Sequence, residues 1–249
     1  MATIGIFDSG SGGLSVYREI VKRLPEEQYV YFSDNKYCPY GEKTAAEIQE
    51  RACFITDVLL GLGADIIVVA CNTATAAAIA MLRNTYPDIP FVGMEPAVKP
   101  AALGTETGVI GVLATAGTLK GSKYLNTKGL FEDDVHIVEH VGEGFVELVE
   151  NGILDGPEAY ATVKASLQPL LDAGADRIVL GCTHYPFLRP IIEALVPPGV
   201  QIIDPAPAVA QQTVRMLDKY GIPTGEGPFG IDLYYSGEQD SLERIFKLL

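Results

Sequence analysis

The feature that most limits how this chain can fold is a stretch that occurs twice. Residues 63–73 read GADIIVVACNT and residues 174–184 read GADRIVLGCTH, with six of eleven aligned positions identical and 111 residues between the copies. Each copy reads as a tight turn, a strand, and a cysteine where the strand ends, Cys71 in the first and Cys182 in the second. The continuous β-branched run in the first copy suits a parallel strand covered on both faces. A second pair of blocks keeps the same offset: FVGMEPAV and QIIDPAPAV match Pro96 with Pro207, Ala97 with Ala208 and Val98 with Val209. Two blocks sharing one offset imply two similar halves.

Within each half, apolar runs alternate with amphipathic stretches. TIGIF, YVYFSD, DIIVVA and PFVGM are separated by helical patterns, among them Leu14, Tyr17, Ile20, Val21 and Leu24, then Thr44 to about Leu62. VIGVLAT restarts the pattern and VHIVEHV continues it. Such alternation predicts an α/β fold with two parallel-sheet domains related by a pseudo-twofold, and a site at their interface. The expected division is 1–97 plus 208–249 for the first domain and 98–207 for the second. The C-terminal segment holds a helix (AVAQQTVRMLDKYG), a strand (IDLYYSG) and a short final helix, and its strand is expected to cross back to the first half.

Composition narrows the function. A net charge of −14 argues against nucleic-acid phosphates or an anionic membrane as partner, though not against a small anionic substrate. The N-terminus MATIGIFDSG lacks a basic region followed by a long apolar run, and the uncharged run Ile66–Leu82 is too short and polar to span a bilayer. The chain therefore reads as cytoplasmic. Cys38, Cys53, Cys71 and Cys182 form no CxxC pair, and the three histidines complete no zinc spacing, so neither a disulfide framework nor a metal is expected. Cys53, inside a helical pattern, reads as a small buried hydrophobe.

The polar residues gather at strand ends, where parallel α/β sheets build their sites. Asp8-Ser9, Tyr40-Gly41, Cys71-Asn72-Thr73, Thr115 with Thr118, and Cys182-Thr183-His184 are the five groups. One polar residue at a strand end is usually a helix cap, but five such groups exceed what capping explains. A thiol at a helix N-terminus is expected to gain from the dipole, which favours thiolate. Asp8 neighbours the first thiol or caps a helix, and His184 can exchange a proton with Cys182. Glu147 and Glu150 read as solvated helix charges unless one faces His184. The turn Gly10-Ser11-Gly12-Gly13 invites a dinucleotide reading, with Asp34 at the next strand end, but Ser15 stands where the fingerprint needs glycine. A tight strand-to-helix turn is the plainer reading, and no P-loop is present.

Two equivalent thiols suit inversion of a stereocentre: one base removes a proton from one face and one acid delivers a proton to the other. Asn72, Thr73, Thr118 and Thr183 would hold a carboxylate and stabilise charge at the neighbouring carbon. No cofactor is required.

DSGSGGLSV, the PYGEK loop, ACNTAT and GCTHYP together resemble the glutamate racemases of the aspartate/glutamate racemase superfamily, in order and over essentially the whole chain. The resemblance implies a cofactor-independent homodimer that interconverts L- and D-glutamate for peptidoglycan. It implies Cys71 and Cys182 as acid/base thiols, Asp8 assisting Cys71, His184 assisting Cys182, and Glu150 orienting His184. Asn72, Thr73 and Thr118 would hold the α-carboxylate, with Ser9, Tyr40, Gly41, Thr115 and Thr183 completing the pocket. One departure is Gly142-Glu143, where the family often has Cys-Pro; it bears on the backbone leading to Glu150. A racemase for aspartate or another amino acid, and a dinucleotide-binding module, are the alternatives.

Overall fold

The structure, a computed structural model, describes residues 1–249 apart from 226, 228 and 239. Its strands are β1 (Thr3–Asp8), β2 (Gln28–Ser33), β3 (Ile66–Val69), β4 (Phe91–Gly93), β5 (Val109–Ala114), β6 (His136–Val141), β7 (Arg177–Gly181), β8 (Gln201–Ile203) and β9 (Gly230–Tyr235). They form two sheets, ordered β4-β3-β1-β2-β9 and β6-β5-β7-β8, and every pairing is parallel. Reversed, the second order reads β8-β7-β5-β6, which matches the first sheet strand for strand. The repeat seen in the sequence is thus a repeat of topology, with β3 and β7 in equivalent places beside β1 and β5. β9 lies outside this equivalence and pairs with β2.

The repeated strands are central because they are covered on both faces: every residue of β3 and of β7 is buried. Even Arg177, which opens β7, is buried, and its guanidinium pairs with Asp176 at 3.1 Å. Helices connect the strands with local signals that the sequence carries. Thr44 and Glu47 form a reciprocal capping box at the start of the helix Ala45–Gly61. The helix Asn72–Thr85 begins at once after Cys71 and is pinned by Thr75. The Thr75 hydroxyl donates to the Val69 carbonyl at 3.1 Å and accepts from the Met94 amide at 3.0 Å, tying the helix start to both β3 and the end of β4. The second copy differs here. Pro186 and Pro190 each lack an N–H, and instead of one long helix the chain makes a 3-10 turn, Tyr185–Leu188, followed by the short helix Arg189–Leu195.

The C-terminal segment packs on the first half. The helix Ala206–Tyr220 lies along the helix Leu14–Val21, β9 extends the first sheet, and the final helix Asp240–Phe246 inserts Leu242 and Ile245, both fully buried. That final helix also touches the helix Phe145–Glu150 of the second half.

Candidate active site

The two strand-end cysteines face one enclosed cavity at the junction of the halves. Ser9, Tyr40, Gly41, Cys71, Asn72, Thr73, Thr115, Cys182, Thr183 and His184 line it, joined by Pro39 and Val146. Of the residues expected at the site, Asp8, Thr118 and Glu150 stand behind this lining rather than in it. The enclosed space is about 10 Å³, room for about one water. An amino acid needs more room than this.

Around Cys71 the sulfur accepts from the Ala74 amide at 3.4 Å and lies 3.8 Å from the Ser9 hydroxyl. The thiol therefore caps its helix as expected, yet its pKa is pushed up, not down. Burial is the main cause and the Asp8 carboxylate adds to it; one amide hydrogen does not offset them. Asn72 follows, with both amide heteroatoms buried and without a hydrogen-bond partner among the described residues. Such a side chain is costly unless something else meets it. Thr73 Oγ1 lies 2.8 Å from Thr115 Oγ1 and 3.3 Å from Thr118 Oγ1, so one hydroxyl of the first half joins two of the second.

Around Cys182 the helpers differ. Its sulfur lies 3.7 Å from His184 Nδ1, and His184 Nε2 lies 2.7 Å from Glu150 Oε1. A carboxylate only accepts, so Nε2 carries a proton and Nδ1 is left to face the thiol. Burial alone would pull the His184 pKa down, but hydrogen bonds to Cys182 and Glu150 raise it well above the usual histidine value. Burial likewise opposes the Glu150 charge, yet the bonds from His184 and Ser11 hold its pKa at about 2. Glu150 is therefore a partner of His184 and not a solvated helix charge. Because the 3-10 turn replaces a long helix, Cys182 has no helix N-terminus of its own. Its electrostatic support comes from the imidazole.

Gly142 and Glu143 lead into this arrangement without displacing it. The Tyr185 ring packs so closely on Gly142 that a Cβ there would collide with the phenol oxygen, and its hydroxyl donates to the Gly142 carbonyl at 3.4 Å.

Asp8 reaches both halves. Its Oδ2 accepts from the Gly13 amide at 2.8 Å, and the Thr183 hydroxyl donates to the carboxylate at 3.3 Å. Its bonds thus run to the turn and to the neighbour of Cys182, while its influence on Cys71 is through charge. Burial raises the Asp8 pKa, and the nearby His184 charge opposes that rise.

Two side chains do other work than their position in the sequence suggests. The Tyr40 hydroxyl turns from the cavity to donate to Asp34 Oδ2 at 2.5 Å. Asp34 is also gripped by Arg51 through two bonds, at 2.7 and 3.0 Å, so it is not free to meet a ribose. The Gly10–Gly12 turn is filled by Glu150 and His184 where a pyrophosphate would need to lie. The sequence reading missed Ser11, whose amide and hydroxyl both donate to Glu150, and Cys38, whose sulfur lies within 4.8 Å of the Glu150 carboxylate and the His184 ring. Ser11 carries a visible signal, a polar side chain inside a turn of small residues. Cys38 carries none without the fold.

Fold and site define an α/β protein of two like halves, each contributing one thiol to a shared cavity lined by hydroxyls and amides. Residues 4–213 match the model of the Asp/Glu/Hydantoin racemase family, and the chain belongs to that family. It is 46% identical to the glutamate racemase of Ectopseudomonas mendocina (strain ymp) over 248 residues, covering 100% of this chain and 94% of the relative. It is 47% identical to that of Pseudomonas syringae pv. tomato over 249 residues, covering 100% of this chain and 90% of the relative. Among solved structures, glutamate racemase RacE1 from Bacillus anthracis matches with a TM-score of 0.89 at 33% identity, covering 99% of this chain and 93% of the other. The Escherichia coli glutamate racemase, solved with L-glutamate and the activator UDP-MurNAc-Ala, matches with a TM-score of 0.87 at 34% identity, covering 99% and 93%.

Proposed function

We propose that this protein is a glutamate racemase, an isomerase that interconverts L- and D-glutamate by two-thiol proton transfer. The observation that carries the chemistry is one thiol from each half in a single closed cavity, beside an Asn72 amide with no hydrogen-bond partner among the described residues. Full-length likeness to glutamate racemases supports the substrate.

The α-carboxylate would meet the Asn72 amide and the Thr73, Thr115 and Thr118 hydroxyls, which hold the charge that develops as the α-proton leaves. Cys71 rests protonated and is the ready acid. Cys182, with His184 Nδ1 beside it, is the base for the enantiomer that presents its α-hydrogen to that side. The roles exchange for the other enantiomer, as reversibility demands. The residues need no cofactor for this proton traffic.

Likeness to the family supports a homodimer, action in the cytoplasm and a role in supplying D-glutamate for peptidoglycan. No helix of the described residues is long and apolar enough to cross a membrane. The pairing of β9 with β2 supports a first domain of 1–97 plus 208–249, of which 226, 228 and 239 lie outside the described residues, and a second of 98–207.

The test is incubation of each pure enantiomer of glutamate and of aspartate in deuterated water. Glutamate is expected to lose optical rotation and gain α-deuterium, while aspartate retains both rotation and hydrogen. Retained rotation with glutamate overturns the proposal, and turnover of aspartate instead assigns a different racemase.

A further inference from the structure

The turn Gly10-Ser11-Gly12-Gly13 makes no contact with the cavity, yet it is shaped around the side chains that serve Cys182. A Cβ at Gly10 would collide with Glu150 Oε1, and one at Gly12 with the His184 ring. Only a backbone without side chains at these two positions lets the turn close over the Glu150–His184 pair. Between them stands Ser11, fully buried, with its amide 2.7 Å and its hydroxyl 2.9 Å from the same Glu150 oxygen that accepts from His184 Nε2.

We infer that Ser11 is a positioning residue that clamps Glu150, and through it the His184 ring, across the boundary between the halves. The inference rests on the reading of Cys182 as an acid/base thiol. Three donors converge on Glu150 Oε1, two from the first half and one from the second. Two consequences follow from the chemistry. The carboxylate stays ionised and acceptor-only, which keeps Nε2 protonated and directs Nδ1 toward Cys182. Two of the three bonds to Glu150 Oε1 cross the boundary, so the support of the ring is complete only while the halves are together.

The clamp is itself fixed. The Tyr31 hydroxyl donates to the Gly10 carbonyl at 2.9 Å, and Asp8 accepts from Gly13, so Ser11 is held from both sides. The Ser15 hydroxyl adds a second bond across the boundary, donating to the Thr183 carbonyl at 2.9 Å. The first half therefore reaches the Cys182 side at Thr183, through Asp8 and Ser15, and at Glu150, through Ser11, whereas the second half reaches the Cys71 side through the Thr115 and Thr118 hydroxyls at Thr73 and not through a carboxylate–imidazole pair. This asymmetry gives the inference a signature that general loosening of the fold lacks.

The experiment combines Ser11→Ala, Glu150→Gln and the double variant, each checked by thermal melting for a folded protein, with isotope effects on α-deuterated L- and D-glutamate. Ser11→Ala is expected to lower kcat/KM about tenfold, the scale of one hydrogen bond to a charged group. Added to Glu150→Gln it should change the rate less than about twofold, because its route of action is already gone. Its α-deuterium isotope effect should rise for one enantiomer only, the same one for which Cys182→Ser raises it. Losses that multiply in the double variant, or isotope effects that rise for both enantiomers, overturn the role of Ser11. If wild-type protein does not racemise glutamate at all, the reading beneath the inference fails, and the two failures are thereby distinguished.

Discussion

At the scale of single residues, the two thiols are not equivalent although they end equivalent strands of the repeat. Cys71 accepts an amide hydrogen and donates to a serine hydroxyl, while Cys182 faces an imidazole backed by a carboxylate. Because free enantiomers are isoenergetic, kcat/KM must fall equally in both directions for any variant. The difference between the thiols appears elsewhere. Cys71→Ser and Cys182→Ser are each expected to raise the α-deuterium isotope effect for opposite enantiomers, since each slows removal of hydrogen from the side it serves. Isotope effects that rise for the same enantiomer in both variants would remove the assignment of one thiol to each face. The expectation that a helix N-terminus would favour thiolate at Cys71 fails for a physical reason. Desolvation and a carboxylate act over the whole buried group, and a single capping bond is weaker than both. No inspection of neighbours in sequence shows that balance.

At the scale of elements, the fold was largely legible. The helix that starts at about Thr44, the β-branched run of β3 and the helix start beside Cys71 all lie where the pattern places them, because each depends on local chemistry. Local chemistry also explains the shorter second copy, through Pro186 and Pro190. The C-terminal helix is different: what matters is where it packs. Leu242 and Ile245 are fully buried, and the Arg244 guanidinium donates to the Glu150 carbonyl at 3.4 Å. Leu242→Ala is expected to destabilise the protein by about 2–5 kcal/mol, the range for truncating a buried leucine. Urea unfolding measures it, and a loss below about 1 kcal/mol would show that this helix contributes little to the folded state.

At the scale of the whole molecule, bonds between the halves link stability to the charge of the site. The Glu150 pKa is lowered from 4.5 to about 2, so its stabilising contribution is full above 4.5 and lost as pH falls through about 2. His184 is raised well above 6.5, so its contribution is full below 6.5 and lost as pH rises through its higher folded value. The melting temperature of wild type should therefore exceed that of Glu150→Gln most between about pH 4.5 and 6.5, the difference shrinking on either side. A difference independent of pH would show that the pair is not charged in the folded protein. By itself the sequence determined what depends on short range: two similar α/β halves, parallel strands, helix starts, and the polar residues gathered at strand ends. The tertiary structure alone decided which of those strand ends meet. Helpers such as Ser11 act across 139 positions of sequence on Glu150, a separation over which no periodicity or spacing carries information. The burial that raises the Cys71 pKa exists only once both halves enclose the cavity.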